Sequence, residues 1–200
     1  MTQPDLSAPL PLPVASPDMV QRLCQRRSAP AQSLTAPAPS REQLDQILSI
    51  GARTPDHGKL FPWRFVVLGP QSRADLAAQL TQMATRQGRA DKDLKVLSKL
   101  TNPPLTIMVV STPIEGHKVP VWEQKLSAGA VCMNIEHAAD AMGFSASWIT
   151  DWYSYDPDAT ALFGIKSDET IAGFIHLGTL SEGPLERPRP DMADKVEYRE

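Results

Sequence analysis

Two short stretches hold most of the side chains that could bind a ligand or support chemistry. "QRRSAP", residues 25–30, sets Arg26, Arg27 and Ser28 side by side. A guanidinium presents a planar fork of donors that matches phosphate oxygens, and an adjacent hydroxyl adds a directional hydrogen bond. The same two cations would equally complement the C-terminus of a preceding helix. "TPDHGKLFPW", residues 54–63, follows Arg53 and crowds two prolines, Asp56, His57, Gly58, Lys59 and Trp63 into one connection. Turn chemistry alone does not require so many special residues. Such a loop can set polar groups around a flat ligand while Phe61 and Trp63 anchor its base. It can also be a rigid connector closed by a hydrophobic plug.

Other chemistries lack their residues. No glycine-rich strand-to-helix turn offers a dinucleotide fingerprint or a phosphate loop. "GFSAS", residues 143–147, lacks the final glycine of a nucleophile elbow. His57, His117, His137 and His176 fall in four separate segments with no paired helical spacing, so no metal site is expected. His137 and His176, set in apolar surroundings, read as core or interface histidines. Cys24 and Cys132 lie far apart and outside any Cys-x-x-Cys, and read as free, buried thiols in a reducing cytosol. No acid–base dyad is legible, and no catalytic side chain is assigned. Twenty basic against twenty-three acidic residues leave a net charge of −3, without the broad positive footprint that nucleic acid requires. No apolar run approaches membrane-spanning length.

These candidates need elements to position them. Two hundred residues, 42% apolar, suit a single domain with a sizeable core. Residues 1–16, broken by Pro9, Pro11 and Pro13, read as a loose arm without the basic start of a signal peptide. Ser16 and Pro17 open a helix with Met19, Val20, Leu23 and Cys24 on one stripe. Ser40 and Gln43 form a capping box for a second helix, which presents Leu44, Ile47 and Leu48. "RFVVLG" reads as a strand, 72–88 as an amphipathic helix, and 91–100 as a shorter, more exposed one. "PLTIMVVST" suits a buried central strand. Residues 123–143 form an alanine-rich helix ended by Gly143, whose small residues allow close approach of a helix or a ligand. "FSASWIT" is a short strand, 156–164 a helical turn or two, and 170–178 a final strand. The expected order is α-α-β-α-α-β-α-β-α-β within residues 17–180, an α+β layer fold, with a surface tail over 181–200.

The ordered set "RRS", "ARTPDHGKLFPWRF" and "SAGAVCMNIEHAADAMGFSASW" resembles the nitroreductase family of flavoenzymes over residues 18–178. "HKVPVWEQ" resembles its small, single-domain bacterial members. The resemblance implies a central mixed sheet flanked by helices, in an intertwined homodimer holding noncovalent FMN at two interfacial sites. It implies hydride taken from NADH or NADPH and electrons passed to nitroaromatics, quinones or similar acceptors by a ping-pong mechanism, in the cytoplasm. Arg26, Arg27 and Ser28 would bind the FMN phosphate and ribityl chain. Arg53 and His57 would reach a flavin held mainly by the other subunit, and Trp148, Ile149 and Thr150 would border the isoalloxazine. Lys118, Arg187 and Arg189 are further basic candidates. The chain departs from relatives at Pro30 and Ala31, where another basic residue is common, and at Ile149, where several have arginine. A flavin storage or sensor protein, or a relative acting on enones or halogenated aromatics, is the competing reading.

Overall fold

The computed structural model describes residues 4–199. Residues 1–3 of the expected arm and Glu200 of the expected tail lie outside the described residues. Among the described residues, no helix is long and apolar enough to cross a membrane.

The first helix, α1 (Pro17–Gln25), starts as its sequence dictates, with the Ser16 hydroxyl accepting from the Met19 amide at 3.4 Å and Pro17 leading the first turn. None of its residues is buried. Met19, Val20 and Leu23 face solvent, and so does Cys24, which corrects the expectation of two buried thiols. The stripe is amphipathic, but among the described residues this chain supplies nothing to cover it. The capping box predicted for α2 (Arg41–Gly51) is formed, with both Ser40–Gln43 hydrogen bonds present. Leu44 and Ile47 then enter the core.

Four strands make one sheet: β1 (Trp63–Leu68), β2 (Leu105–Ser111), β3 (Ser145–Ile149) and β4 (Thr170–Gly178), in the order β1-β2-β4-β3. Every neighbouring pair is antiparallel, which corrects the expected mixed sheet. The reason lies in the connections. One long helix, α6 (Val121–Ala141), carries the chain from the end of β2 back to the start of β3, so these two strands run the same way. They never pair, because β4 arrives last and slots between them in the opposite sense.

The sheet separates two apolar layers. On one face α2 and α6 pack Ile47, Val131, Cys132, Ile135 and Ala139 onto Ile107, Val109, Ile175 and Leu177. On the other lie α3 (Pro70–Arg86), α4 (Asp91–Lys95), α5 (Ser98–Thr101) and α7 (Pro157–Leu162), around Leu80, Leu100, Met108, Tyr153 and Phe174. The register of β4 slips by one residue opposite Val109 and Val110. That bulge lets Ile171 and Phe174, three apart, face the same layer.

The single helix expected over 91–100 is split into α4 and α5. The Trp152 indole donates to the Asp93 carbonyl at 2.9 Å, an acceptor that a continuous helix would reserve for Leu97. Beneath α3, the Arg73 guanidinium is buried with no carboxylate partner among the described residues. It is solvated by the carbonyls of Leu68, Leu100 and Pro104 at 3.2, 2.9 and 3.0 Å, and by that of Pro103.

Candidate functional site

The chain leaves α1 in extended conformation at Arg26 and runs beside the edge strand β3, where the Ala29 amide donates to the Ala146 carbonyl at 2.8 Å. Arg26, Arg27 and Ser28 are thereby held half-buried against the end of α6. Arg22, Arg26 and Arg27 wall a cleft of about 200 Å³ whose floor includes Glu136, Ser145 and Ala146. Each guanidinium faces a carboxylate. Arg22 meets Asp140 at 2.5 Å, Arg26 meets Glu136 at 3.6 Å, and Arg27 meets Glu186 at 3.8 Å. The tail closes one side, since Arg27 Nε donates to the Leu185 carbonyl at 2.9 Å and Arg189 reaches the Arg26 carbonyl at 3.3 Å. Arg187 is exposed.

Glu136 is 4% exposed. Burial raises its pKa, against the opposing pull of Arg26 and a hydrogen bond from the Trp148 amide. One turn earlier, burial and then the charge of Glu136 push the Cys132 thiol up to about 12, so it is no nucleophile. Glu136, Asp140 and Glu186 escape a search for donors. The legible signal was a pair of acids four residues apart, Glu136 and Asp140, near the end of an alanine-rich helix.

Trp148 and Ile149 end the same edge strand and Thr150 follows it, so the fold sets "RRS" and "WIT" beside one strand, β3. Trp148 turns its ring inward. Its indole donates to the Ala172 carbonyl at 3.1 Å and packs against Gly173, where any Cβ would overlap it. What this residue offers the outer edge is backbone. Thr150 accepts from the Tyr155 hydroxyl at 2.8 Å.

The loop at 54–63 is organised by one carboxylate. Asp56 accepts from the amides of Gly58, Lys59 and Phe61 at 3.2, 2.7 and 2.6 Å. Burial alone would raise its pKa, but these amides and that of Leu60 hold it below the ordinary value. His57, Lys59 and Phe61 all take positive φ, near 56°, 59° and 49°, a conformation unfavourable for side chains of their size. The loop is tied along α6 at three points. Ser127 donates to the Pro55 carbonyl at 2.9 Å, Asn134 to the Thr54 hydroxyl at 2.6 Å, and His57 pairs with Glu123 at 2.5 Å.

Arg53 and Lys118 are exposed. Glu123 and Glu136 are about 20 Å apart along the helix axis at 1.5 Å per residue. Within one chain His57, held at Glu123, is thus set well apart from the arginine cleft.

A model of the nitroreductase family matches residues 23–179. The chain belongs to that family. It shares 40% identity over 163 residues with an Escherichia coli K12 protein named "Putative NAD(P)H nitroreductase YdjA", covering 81% of this chain and 88% of the relative. A Haemophilus influenzae protein named "Putative NAD(P)H nitroreductase" is 32% identical over 184 residues, 90% of this chain and 99% of its own. Among solved structures, a nitroreductase-like family protein from Bacillus cereus superposes with a TM-score of 0.81 at 21% identity, over 94% of this chain and all of the other. A Desulfovibrio desulfuricans protein, described as a putative nitroreductase in complex with FMN, gives 0.71 at 21% identity, over 93% and 98%. The α+β fold is the family's, and the chain is an enzyme of an oxidoreductase family.

Proposed function

We propose that this protein is an FMN-dependent oxidoreductase that takes electrons from NADH or NADPH and passes them to nitroaromatics, quinones or similar acceptors by a ping-pong mechanism. The observation that carries the reading is the arginine cleft beside β3. Three guanidiniums converge on one cavity next to Ser28, a donor set suited to a phosphate with a hydroxylated chain attached. Family membership supports the redox assignment, and so do relatives described with bound FMN. No second phosphate-and-adenine motif argues for a dinucleotide flavin. FMN, when bound, supplies the hydride and electron transfer.

The chain's own residues do the rest. Arg26, Arg27 and Ser28 hold the phosphate and ribityl chain, where a phosphate on Arg27 would compete with the exposed Glu186. The edge of β3 at Trp148, Ile149 and Thr150 lines the ring system with backbone donors and acceptors. Nicotinamide and acceptor would use the bound ring in turn, as a ping-pong mechanism requires. No side chain is assigned as a proton donor.

A homodimer completes the site in this reading, because Arg53 and His57 reach a flavin only from a second copy. The exposed apolar stripe of α1 and the exposed Trp122 and Leu126 of α6 support it as surfaces a partner would cover. The small residues of α6 are a different matter: Ala128, Ala138 and Ala139 are buried in the chain's own core. We take residues 17–180 as the flavin-binding domain between an arm and a tail. We assign the protein to the reducing cytosol, in keeping with two free cysteines.

The test begins with the purified protein reconstituted with FMN under anaerobic conditions. NADH or NADPH should bleach the flavin absorbance, and a nitroaromatic or quinone should restore it. Failure to retain FMN sinks the cofactor assignment. Retention without bleaching sinks the enzymatic one and favours storage or sensing.

A further inference from the structure

The tail touches the cleft through its backbone as well as through its charges. Arg27 Nε donates to the Leu185 carbonyl at 2.9 Å, and Pro184 joins Arg27 in lining the cavity. The Glu186 carboxylate stands 3.8 Å from that same Nε, beyond hydrogen-bond reach, so the carbonyl rather than the carboxylate fixes the guanidinium. Nη1 and Nη2 of Arg27 have no hydrogen-bond partner among the described residues. Arg189 secures the far end of the same segment, where its Nη2 reaches the Arg26 carbonyl at 3.3 Å and Glu186 at 2.9 Å. Residues 184–189 are thus pinned to Arg26 and Arg27 at two points. A guanidinium tied through Nε keeps its planar fork in one orientation while both terminal nitrogens stay free for an oxyanion. Such a group gives up little rotamer freedom when the anion arrives.

We propose that residues 184–189 form a positioning strap of the phosphate site, in which the Leu185 carbonyl sets the Arg27 guanidinium and leaves Nη1 and Nη2 for the phosphate. This rests on the FMN reading above. The role is carried by backbone and requires no contact between Arg189 and the ligand. Competition from Glu186 for Arg27 works in the opposite sense. The closer carbonyl contact decides the balance, so the strap strengthens phosphate binding.

Fluorescence titrations with FMN and riboflavin isolate the share owed to the phosphate as the ratio of the two affinities, which general damage to the fold leaves in place. Arg189→Ala, Arg27→Ala and the double variant are compared with wild type. R189A frees the far end of the strap and should lower the ratio about fivefold, the size of one net hydrogen bond. In the R27A background the same substitution should lower it no further, since it acts through Arg27. A ratio unchanged or raised in R189A overturns the proposal. So does an equal drop in both backgrounds, which assigns Arg189 to the phosphate itself. Linkage supplies a second readout, because a phosphate that is helped by the strap must in turn steady it. FMN should protect wild type from cleavage after the exposed Glu186 by a glutamyl endopeptidase, and riboflavin should not. Cleavage unchanged or faster with FMN, or slowed equally by riboflavin, overturns the proposal. Wild type that binds riboflavin as tightly as FMN overturns this inference alone. Wild type that binds neither overturns the cofactor reading and this inference with it.

Discussion

A carboxylate that gathers the amides of Gly58, Lys59 and Phe61, as Asp56 does, lets three side-chain-bearing residues of one loop, His57, Lys59 and Phe61, sit at positive φ. The loop therefore has its shape before any ligand arrives. Replacing Asp56 with alanine should cost about 1 kcal/mol in urea unfolding, the net worth of hydrogen bonds in a loop where water can take over the freed amides, and should raise proteolysis at Gly58–Lys59. Unchanged stability and cleavage would show that the loop holds itself. Gly173 is a second single-residue constraint, because the Trp148 indole fills the place of its Cβ. Gly173→Ala should destabilise by about 2–3 kcal/mol through overpacking, and Gly173→Ala with Trp148→Phe should recover part of the loss. At this scale the sequence was legible for donors and poorly legible for acceptors. Arg26, Arg27 and His57 announce themselves by type, whereas Asp56 looked like one turn-former among several. Glu136 gains its meaning only from burial, which no residue type discloses.

Elements were easier to foresee where local chemistry and burial agree. The Ser40–Gln43 capping box, the apolar run of β2 and the terminating Gly143, at φ near 83°, all formed as expected. Pairing between distant strands was not readable, since the place of β4 between β2 and β3 depends on long-range packing rather than local pattern. The same strand carries a group with a clear pH consequence. His176 is fully buried, with Nδ1 2.9 Å from the Thr106 hydroxyl, and burial followed by the nearby charge of Arg73 lowers its pKa to about 3. The imidazole is neutral in the folded chain but takes a proton near pH 6.5 once unfolded. Its stabilising contribution is complete above pH 6.5 and is lost as the pH falls towards 3. Between pH 7 and pH 5 the folded state should lose about 2 kcal/mol from this group alone, and His176→Gln should flatten that slope. Urea melts at the two pH values measure it, and an equal slope in the variant would assign the effect elsewhere.

The molecule as a whole has two features that no single element explains: an uncovered apolar helix at one end and a half-built site at each of two places. Both are accommodated if two copies associate. Leu126, 52% exposed on α6, gives a test that spares the core. Leu126→Arg should leave the thermal midpoint of the isolated chain within a few degrees while shifting sedimentation towards monomer and lowering flavin retention at least tenfold. A variant that still sediments with wild type and keeps its flavin would remove this face from the interface. The late position of β4 bears on a different stage of the protein's life. A ribosome that has finished residues 1–165 has synthesised β1, β2 and β3, yet β2 and β3 lack the strand that joins them. Until 170–178 emerge, both strands offer open edges and the two layers cannot close. The nascent chain is then most exposed to misassembly and to chaperone capture when it is almost complete. Stalled chains ending before residue 170 should accordingly remain protease-sensitive, and those extended past 178 and clear of the exit tunnel should become resistant in a single step.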